Sequence, residues 1–263
     1  MNTESVTLRV LVIALSVLVI GYIAACAALY WFQRSMIYYP QPGRQGPPAS
    51  LMRLQAGGAD LAITVRPHEG TKALVYFGGN AEDVSGSLPQ LAQAFPDRAI
   101  YLMHYRGYGG STGTPAEAAL HHDALALFDK VHAAHADVVV MGRSLGSGVA
   151  VRLASQRPAS RLVLVTPYDS IEGVAAGQFP LFPVRWLLRD KFDSGQHAPR
   201  LAVPTFILLA EHDEVIPRAS SELLHGRFAK GAARLKVVPG TGHNTISESP
   251  VYFDALRRVE AGW

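Results

Sequence analysis

From Val10 to Phe32 the chain runs 23 residues without one charged side chain. A backbone that enters lipid must satisfy its N–H and C=O groups within itself, so a run of this kind is restricted to a helix. About 20 apolar residues in a helix cross a hydrocarbon core of about 30 Å. Tyr30, Trp31, Tyr38 and Tyr39 gather at its C-terminal edge with Arg34, the aromatic and basic belt of a membrane surface. Residues 1–35 therefore read as a single-pass anchor in a plasma or inner membrane. Two alternatives stay open. A cleaved secretory signal has a shorter apolar region, about 7–15 residues, ending in small residues. Ile23-Ala24-Ala25-Cys26 reads like a lipoprotein processing box, although the apolar run continues six residues beyond Cys26. Arg9 precedes the span and Arg34 and Arg44 follow it, so charge leaves the orientation open.

Gln41 to Ser50 (QPGRQGPPAS) is rich in Pro and Gly, which disfavours helix and strand ladders. It marks 36–50 as a linker and 51–263 as a separate domain. The whole chain has 263 residues, 49% of them hydrophobic, enough for one sizeable core. Its net charge of +3 comes without a basic block, so a nucleic-acid partner has no support. Cys26 is the single cysteine, which excludes an internal disulfide and a thiol pair for zinc.

Beyond the linker, short apolar runs alternate with helical patterns. Strands are expected at Leu61–Val65, Ala73–Phe77, Ala99–Tyr105, Val138–Met141, Leu162–Val165, Thr205–Leu209 and Leu235–Val238. Several are near-continuous Val/Leu/Ile runs, as strands buried on both faces should be. Helices are expected at Leu88–Phe95, Pro115–Ala134, Gly146–Gln156, Ala219–Lys230 and Pro250–Val259. Thr114-Pro115-Ala116-Glu117 reads as a capping box at the start of the second. The fold class is α/β, a mostly parallel sheet with helices on both faces.

Ligands of such sheets sit at the carboxyl ends of the strands. After Val138–Met141 comes Gly142-Arg143-Ser144-Leu145-Gly146, a Gly-x-Ser-x-Gly between a strand and an apolar helix, the context a nucleophile elbow requires. The helix directs unpaired N–H groups at whatever reacts with Ser144. A plain Gly/Ser turn or a phosphate cradle is the bland reading; the spacing of a P-loop is missing. Two later strands end at Ala210-Glu211-His212-Asp213-Glu214 and at Pro239-Gly240-Thr241-Gly242-His243-Asn244. Serine, then acid, then histidine is the chain order of a nucleophilic triad on this kind of sheet. His243 would take the proton from Ser144, and Asp213 would orient and stabilise the imidazolium. Glu211 and Glu214 compete for the acid's place; Asp213 is preferred for its position four residues before Pro217. The oxyanion donors are expected to be the backbone N–H groups of Leu145 and of Asn80, in Gly78-Gly79-Asn80 after Ala73–Phe77. His121, His122, His132 and His135 share one expected helix, and a solvated face explains them better than a metal. Neither metal nor cofactor is expected.

Tyr105-Arg106-Gly107-Tyr108-Gly109, Gly142-Arg143-Ser144-Leu145-Gly146-Ser147-Gly148, the Asp213 loop and Gly240-Thr241-Gly242-His243-Asn244 together resemble the alpha/beta-hydrolase domain proteins that carry one N-terminal membrane helix. Gln33-Arg34-Ser35-Met36-Ile37-Tyr38-Tyr39-Pro40 is similar to the same group. The resemblance spans most of residues 30–260 and implies an alpha/beta-hydrolase fold of the depalmitoylase or monoacylglycerol lipase-like branch. Three positions depart from it. Gly78 stands where the family has His, His104 where it has Asp, and Ala210 where it has Gly.

Tyr168 to Arg200 is too long for an ordinary loop and marks a lid over 168–200. Its apolar residues, with Phe179 and Trp186 as substrate-binding candidates, would line an acyl groove. The expected activity is hydrolysis of a small acyl ester or thioester at the membrane, through an acyl-enzyme on Ser144. An aminopeptidase of the same fold, or a catalytically silent membrane protein that binds a lipid or partner, is the alternative. A chain starting near Tyr39 is expected to fold and to act on short soluble esters.

Overall fold

The computed structural model describes residues 3–43 and 51–260. Residues 44–50 of the expected linker, Arg44 among them, lie outside the described residues. Helix α1, Thr3–Ile37, begins the chain. A single sheet follows, made of β1 (Leu51–Ala56), β2 (Ala59–Arg66), β3 (Lys72–Phe77), β4 (Ala99–Met103), β5 (Asp137–Arg143), β6 (Arg161–Val165), β7 (Thr205–Ala210) and β8 (Ala233–Val238). The order across it is β1-β2-β4-β3-β5-β6-β7-β8. β2 pairs antiparallel with β1 and β4, and the remaining pairs are parallel.

The parallel strands alternate their side chains between two cores. Ala73, Val75 and Phe77 of β3 join Val138 and Val140 of β5 on one face. Leu74, Tyr76, Val139 and Met141 occupy the other. Helices cover both faces because a parallel strand returns only through a crossover. They are α2 (Leu88–Ala94), α3 (Glu117–His132), α4 (Leu145–Ala154), α8 (Arg218–Arg227) and α9 (Pro250–Glu260). Between β6 and β7 lie α5 (Ile171–Gln178), α6 (Val184–Leu187) and α7 (Ser194–His197).

β1 escaped the sequence reading, although its signal was present. Gly57 and Gly58 join it to β2, both at positive φ (52° and 76°), the conformation of a two-residue hairpin turn. The capping box is not formed. Ala116 is the N-cap of α3, and Glu117 instead accepts the Lys191 N–H at 2.7 Å.

α1 passes from one environment to another along its length. Residues 6–24 are exposed on all sides, whereas Ala25, Cys26, Leu29, Gln33, Arg34 and Ile37 turn inward. The exposed stretch of 19 residues is about 28 Å long at 1.5 Å per residue, close to one hydrocarbon core. From Tyr22 on, the helix is bound to the segment between β6 and β7, where a lid is expected. Tyr22 stacks on Phe182 with ring centroids 5.7 Å apart and donates its hydroxyl to the Leu181 carbonyl. The Gln33 amide donates to the Leu187 carbonyl at 3.0 Å and accepts the Arg189 N–H at 2.6 Å. Arg34 makes a two-pronged pair with buried Asp190, which also accepts from the Tyr38 hydroxyl. Tyr38 is 3% exposed and belongs to the main core. Packing between α1 and the sheet domain thus runs across residue 35, where the anchor was expected to end. Tyr38 is not an interfacial residue, and a chain cut near Tyr39 lacks part of its domain's packing.

Candidate active site

β3 and β5 are central neighbours, and the chain leaves β3 and β5 toward different neighbours, opening the crevice in which open α/β sheets bind ligands. Three loops meet there. Ser144 sits between β5 and α4 with φ 49° and ψ −118°, a conformation that strains any residue with a Cβ. The tight turn needs bare neighbours. A Cβ on Gly146 would stand 2.1 Å from the Phe77 carbonyl oxygen, and one on Gly142 would stand 2.3 Å from that of Gly146.

Loops after β7 and β8 bring the other two residues. His243 Nε2 lies 2.9 Å from Ser144 Oγ, and His243 Nδ1 lies 2.9 Å from each oxygen of Asp213. All three side chains are nearly buried, so the interactions are little screened by water. Asp213 Oδ1 also accepts the N–H groups of Val215 and Ile216 at 3.0 and 2.7 Å. The competing acids hold backbone instead. Glu214 accepts the His243 N–H at 2.9 Å, a bond that holds its carboxyl below the usual range. Glu211 accepts the Gly240 N–H at 2.8 Å.

Gly78-Gly79-Asn80 lies against the serine, with a Gly79 Cβ falling only 3.8 Å from Ser144 Cβ. The Gly79 N–H is taken by Glu82 at 2.8 Å. The Asn80 carbonyl accepts from the Tyr39 N–H and the Tyr108 hydroxyl, and the Gly78 carbonyl from the Tyr105 hydroxyl. Tyr105 and Tyr108 are buried. Burial pushes both phenols up, Tyr108 to about 12, so they remain donors. The Tyr-Arg-Gly-Tyr-Gly segment thus holds the Gly78-Gly79-Asn80 loop through its two tyrosine hydroxyls. Leu145 is the first residue of α4, where an N–H has no partner within the helix.

Glu82 and Arg143 are the residues that sequence reasoning missed. Glu82 accepts from Tyr76, Ser87 and Gly79. Arg143 faces it at 4.0 Å and donates to the His243 carbonyl at 3.3 Å. The pair ties the Gly78-Gly79-Asn80 loop to the His243 loop. Arg143 was visible only as a spacer in Gly-x-Ser-x-Gly. His104, one of the three departures, proves structural. It is buried, hydrogen-bonds Thr64 Oγ1 at 2.8 Å and fits against bare Gly109. His121 of α3 and His135, just beyond that helix, do not belong to a solvated face. His121 and His135 are buried, and His135 meets the Tyr101 hydroxyl and the Gly70 carbonyl.

Above the serine lies a mostly apolar cavity of about 310 Å³. Its walls include Asn80, Ser144 and Leu145 below, Ile171, Val174, Phe179 and Phe182 from the lid, and Leu29, Gln33 and Met36 from α1. Phe179 is among its wall residues. Trp186 is not; it is 84% exposed. α6 is a single turn whose Val184 and Leu187 line the cavity, and the intervening Trp186 necessarily points away.

An uncharacterised protein of Mycobacterium tuberculosis is 34% identical over 247 residues, covering 86% of both chains. Protein bem46 of Schizosaccharomyces pombe is 26% identical over 260 residues, covering 88% of this chain and 87% of its own. A solved esterase of Pyrococcus furiosus superposes with a TM-score of 0.69 at 15% identity, over 86% of this chain and 95% of its own. This chain belongs to the alpha/beta-hydrolase family. Lysophosphatidylserine lipase ABHD12 of Rattus norvegicus is 34% identical over 182 residues, 57% of this hydrolase-fold chain and 45% of its own. No family profile matches the chain.

Proposed function

We propose that this alpha/beta hydrolase is a membrane-anchored serine hydrolase of acyl esters or thioesters. The observation that carries the reading is the relay from Ser144 Oγ to His243 Nε2 and from Nδ1 to Asp213, each step 2.9 Å, at the floor of an apolar cavity. Esterase and lipase names among the relatives support ester cleavage of a lipid-like substrate.

In this mechanism Ser144 Oγ attacks the acyl carbonyl while His243 Nε2 takes its proton. The negative charge that develops on the carbonyl oxygen is met by the Leu145 and Asn80 N–H groups. Collapse of the tetrahedral adduct breaks the bond to the alcohol or thiol, which leaves with the proton from His243. Water, deprotonated by the same imidazole, then releases the acid from Ser144. Asp213 holds the ring in one tautomer throughout. An aminopeptidase would need an acidic partner for the substrate's ammonium, and the described residues lining the cavity include no carboxylate.

A fluorophosphonate probe tests the proposal, because it labels only an activated serine. Wild-type protein should be labelled and should turn over acyl esters. Ser144→Ala should lose labelling and at least about 10³-fold in kcat, since nucleophile and base act as one unit. An unlabelled, inert wild-type protein would leave the silent binding reading in place.

A further inference from the structure

The membrane helix is also a wall of the cavity. Tyr22, Cys26, Leu29, Gln33 and Ile37 fall at spacings of four, three, four and four, which places them on one stripe of α1. Of these, Leu29, Gln33 and Ile37 line the cavity, joined by Met36. The opposite wall is Phe179, Phe182, Val184 and Leu187 of the lid. The stripe starts beside the oxyanion loop, where the Tyr39 N–H binds the Asn80 carbonyl. From Ile37 up to Leu29 it climbs about 12 Å along the helix. Two turns beyond Leu29 it reaches the Tyr22–Phe182 stack, at the lower end of the exposed stretch. Leu181, whose carbonyl binds the Tyr22 hydroxyl, is 81% exposed, and Trp31, about 13 Å further along the helix, is 74% exposed. Aromatic groups of this kind settle at the boundary between headgroups and hydrocarbon.

We propose that the inner stripe of α1 is part of the acyl-binding site. The chain of a bilayer-resident ester lies between α1 and the lid, its carbonyl at Ser144 and its tail running along the helix toward the bilayer. This rests on the serine-hydrolase reading and goes beyond it, because it makes the anchor a determinant of chain length. A cavity of about 310 Å³ lies at the small end of ligand pockets, which run from about 300 to 1,000 Å³. One tail fills it, and side-chain bulk on α1 subtracts directly from the room left for methylenes.

The test uses the full chain in phospholipid nanodiscs. The ratio of kcat/KM for lauroyl to butyryl p-nitrophenyl ester is measured for wild type, Leu29→Trp, Met36→Trp and Ile20→Trp. Ile20 lies in the part of α1 exposed on all sides and lines no wall. Leu29→Trp and Met36→Trp should lower the ratio about tenfold or more, the effect of losing room for a methylene or two, and Ile20→Trp should leave it as in wild type. A small fluorophosphonate reports the triad separately in each variant. An unchanged ratio in Leu29→Trp and Met36→Trp, with labelling intact, overturns the proposal. If a tryptophan abolishes labelling, Leu29→Ala decides in its place. The added room should move the optimum to longer chains, and an unmoved optimum overturns the proposal. A wild-type protein that neither labels nor hydrolyses would instead remove the underlying reading.

Discussion

Asp213 has no freedom left. Both of its oxygens face His243 Nδ1, and one of them also accepts two backbone N–H groups. Asp213→Asn would present an amide N–H to the ring and favour the wrong tautomer, so kcat on a soluble ester should fall on the order of 10⁴-fold. Glu211→Gln keeps an acceptor for Gly240 and should stay within about threefold of wild type, the scatter of a surface change. Inactive Glu211→Gln beside active Asp213→Asn would reverse the assignment. A second expectation concerns acid. Burial holds the imidazoles of His104 and His121 below their ordinary range. The unfolded chain takes up protons at about pH 6.5, where the folded protein keeps these rings neutral. The unfolded state then binds more protons, so stability present above about pH 6.5 is lost as pH falls toward the folded values. Tm measured from about pH 7.5 down to 5 should drop, and less steeply in His104→Gln.

At the scale of elements, α1 is joined to the lid through a charge that cannot be left alone. Asp190 is 4% exposed, and its partners include Arg34 and Tyr38. Arg34→Ala strands a buried carboxylate, a change that typically costs about 3–5 kcal/mol when both partners are buried and less here, because Arg34 is a third exposed. Thermal unfolding should show Asp190→Asn recovering part of that loss in the double variant, since coupled neighbours do not add. Ion pairs of this kind lie 156 residues apart in sequence, which is why they were invisible there. What was legible followed from local rules. The apolar runs of β3, β5, β6 and β7 have one environment on both faces, and Ser144, Asp213 and His243 each follow a strand. What was not legible depended on tertiary approach. The capping box at Thr114 yielded to the Lys191 contact of Glu117, Trp186 was turned outward by the phase of a one-turn helix, and Tyr38 looked interfacial until the lid closed over it.

For the whole molecule, α1 is packed on the hydrolase domain from Tyr22 onward and exposed before it. Residues 6–21 are exposed, whereas residues 22–38 provide the Phe182 stack, a cavity wall, the partner of Asp190 and a core tyrosine. The point of truncation therefore decides the outcome. A chain beginning at Gly21 keeps Tyr22, Leu29, Gln33, Arg34 and Tyr38 in place and loses only exposed residues of α1. It should retain the melting temperature and the butyryl-ester kcat of the full chain within about threefold, because no buried contact is removed. A chain beginning at Tyr39 removes the Gln33 bridges to the lid, leaves Asp190 unpaired and opens the cavity on one side. It should melt well below the full chain and lose at least about tenfold in kcat on the same soluble ester, as a lid no longer held to its wall stops positioning the acyl group. Thermal unfolding and butyryl-ester turnover of the two proteins, measured side by side, check this. Equal behaviour would mean that α1 serves only to hold the domain at the membrane. On acyl esters embedded in vesicles both shortened chains should fall below the full chain, since each has lost the tether that raises local concentration.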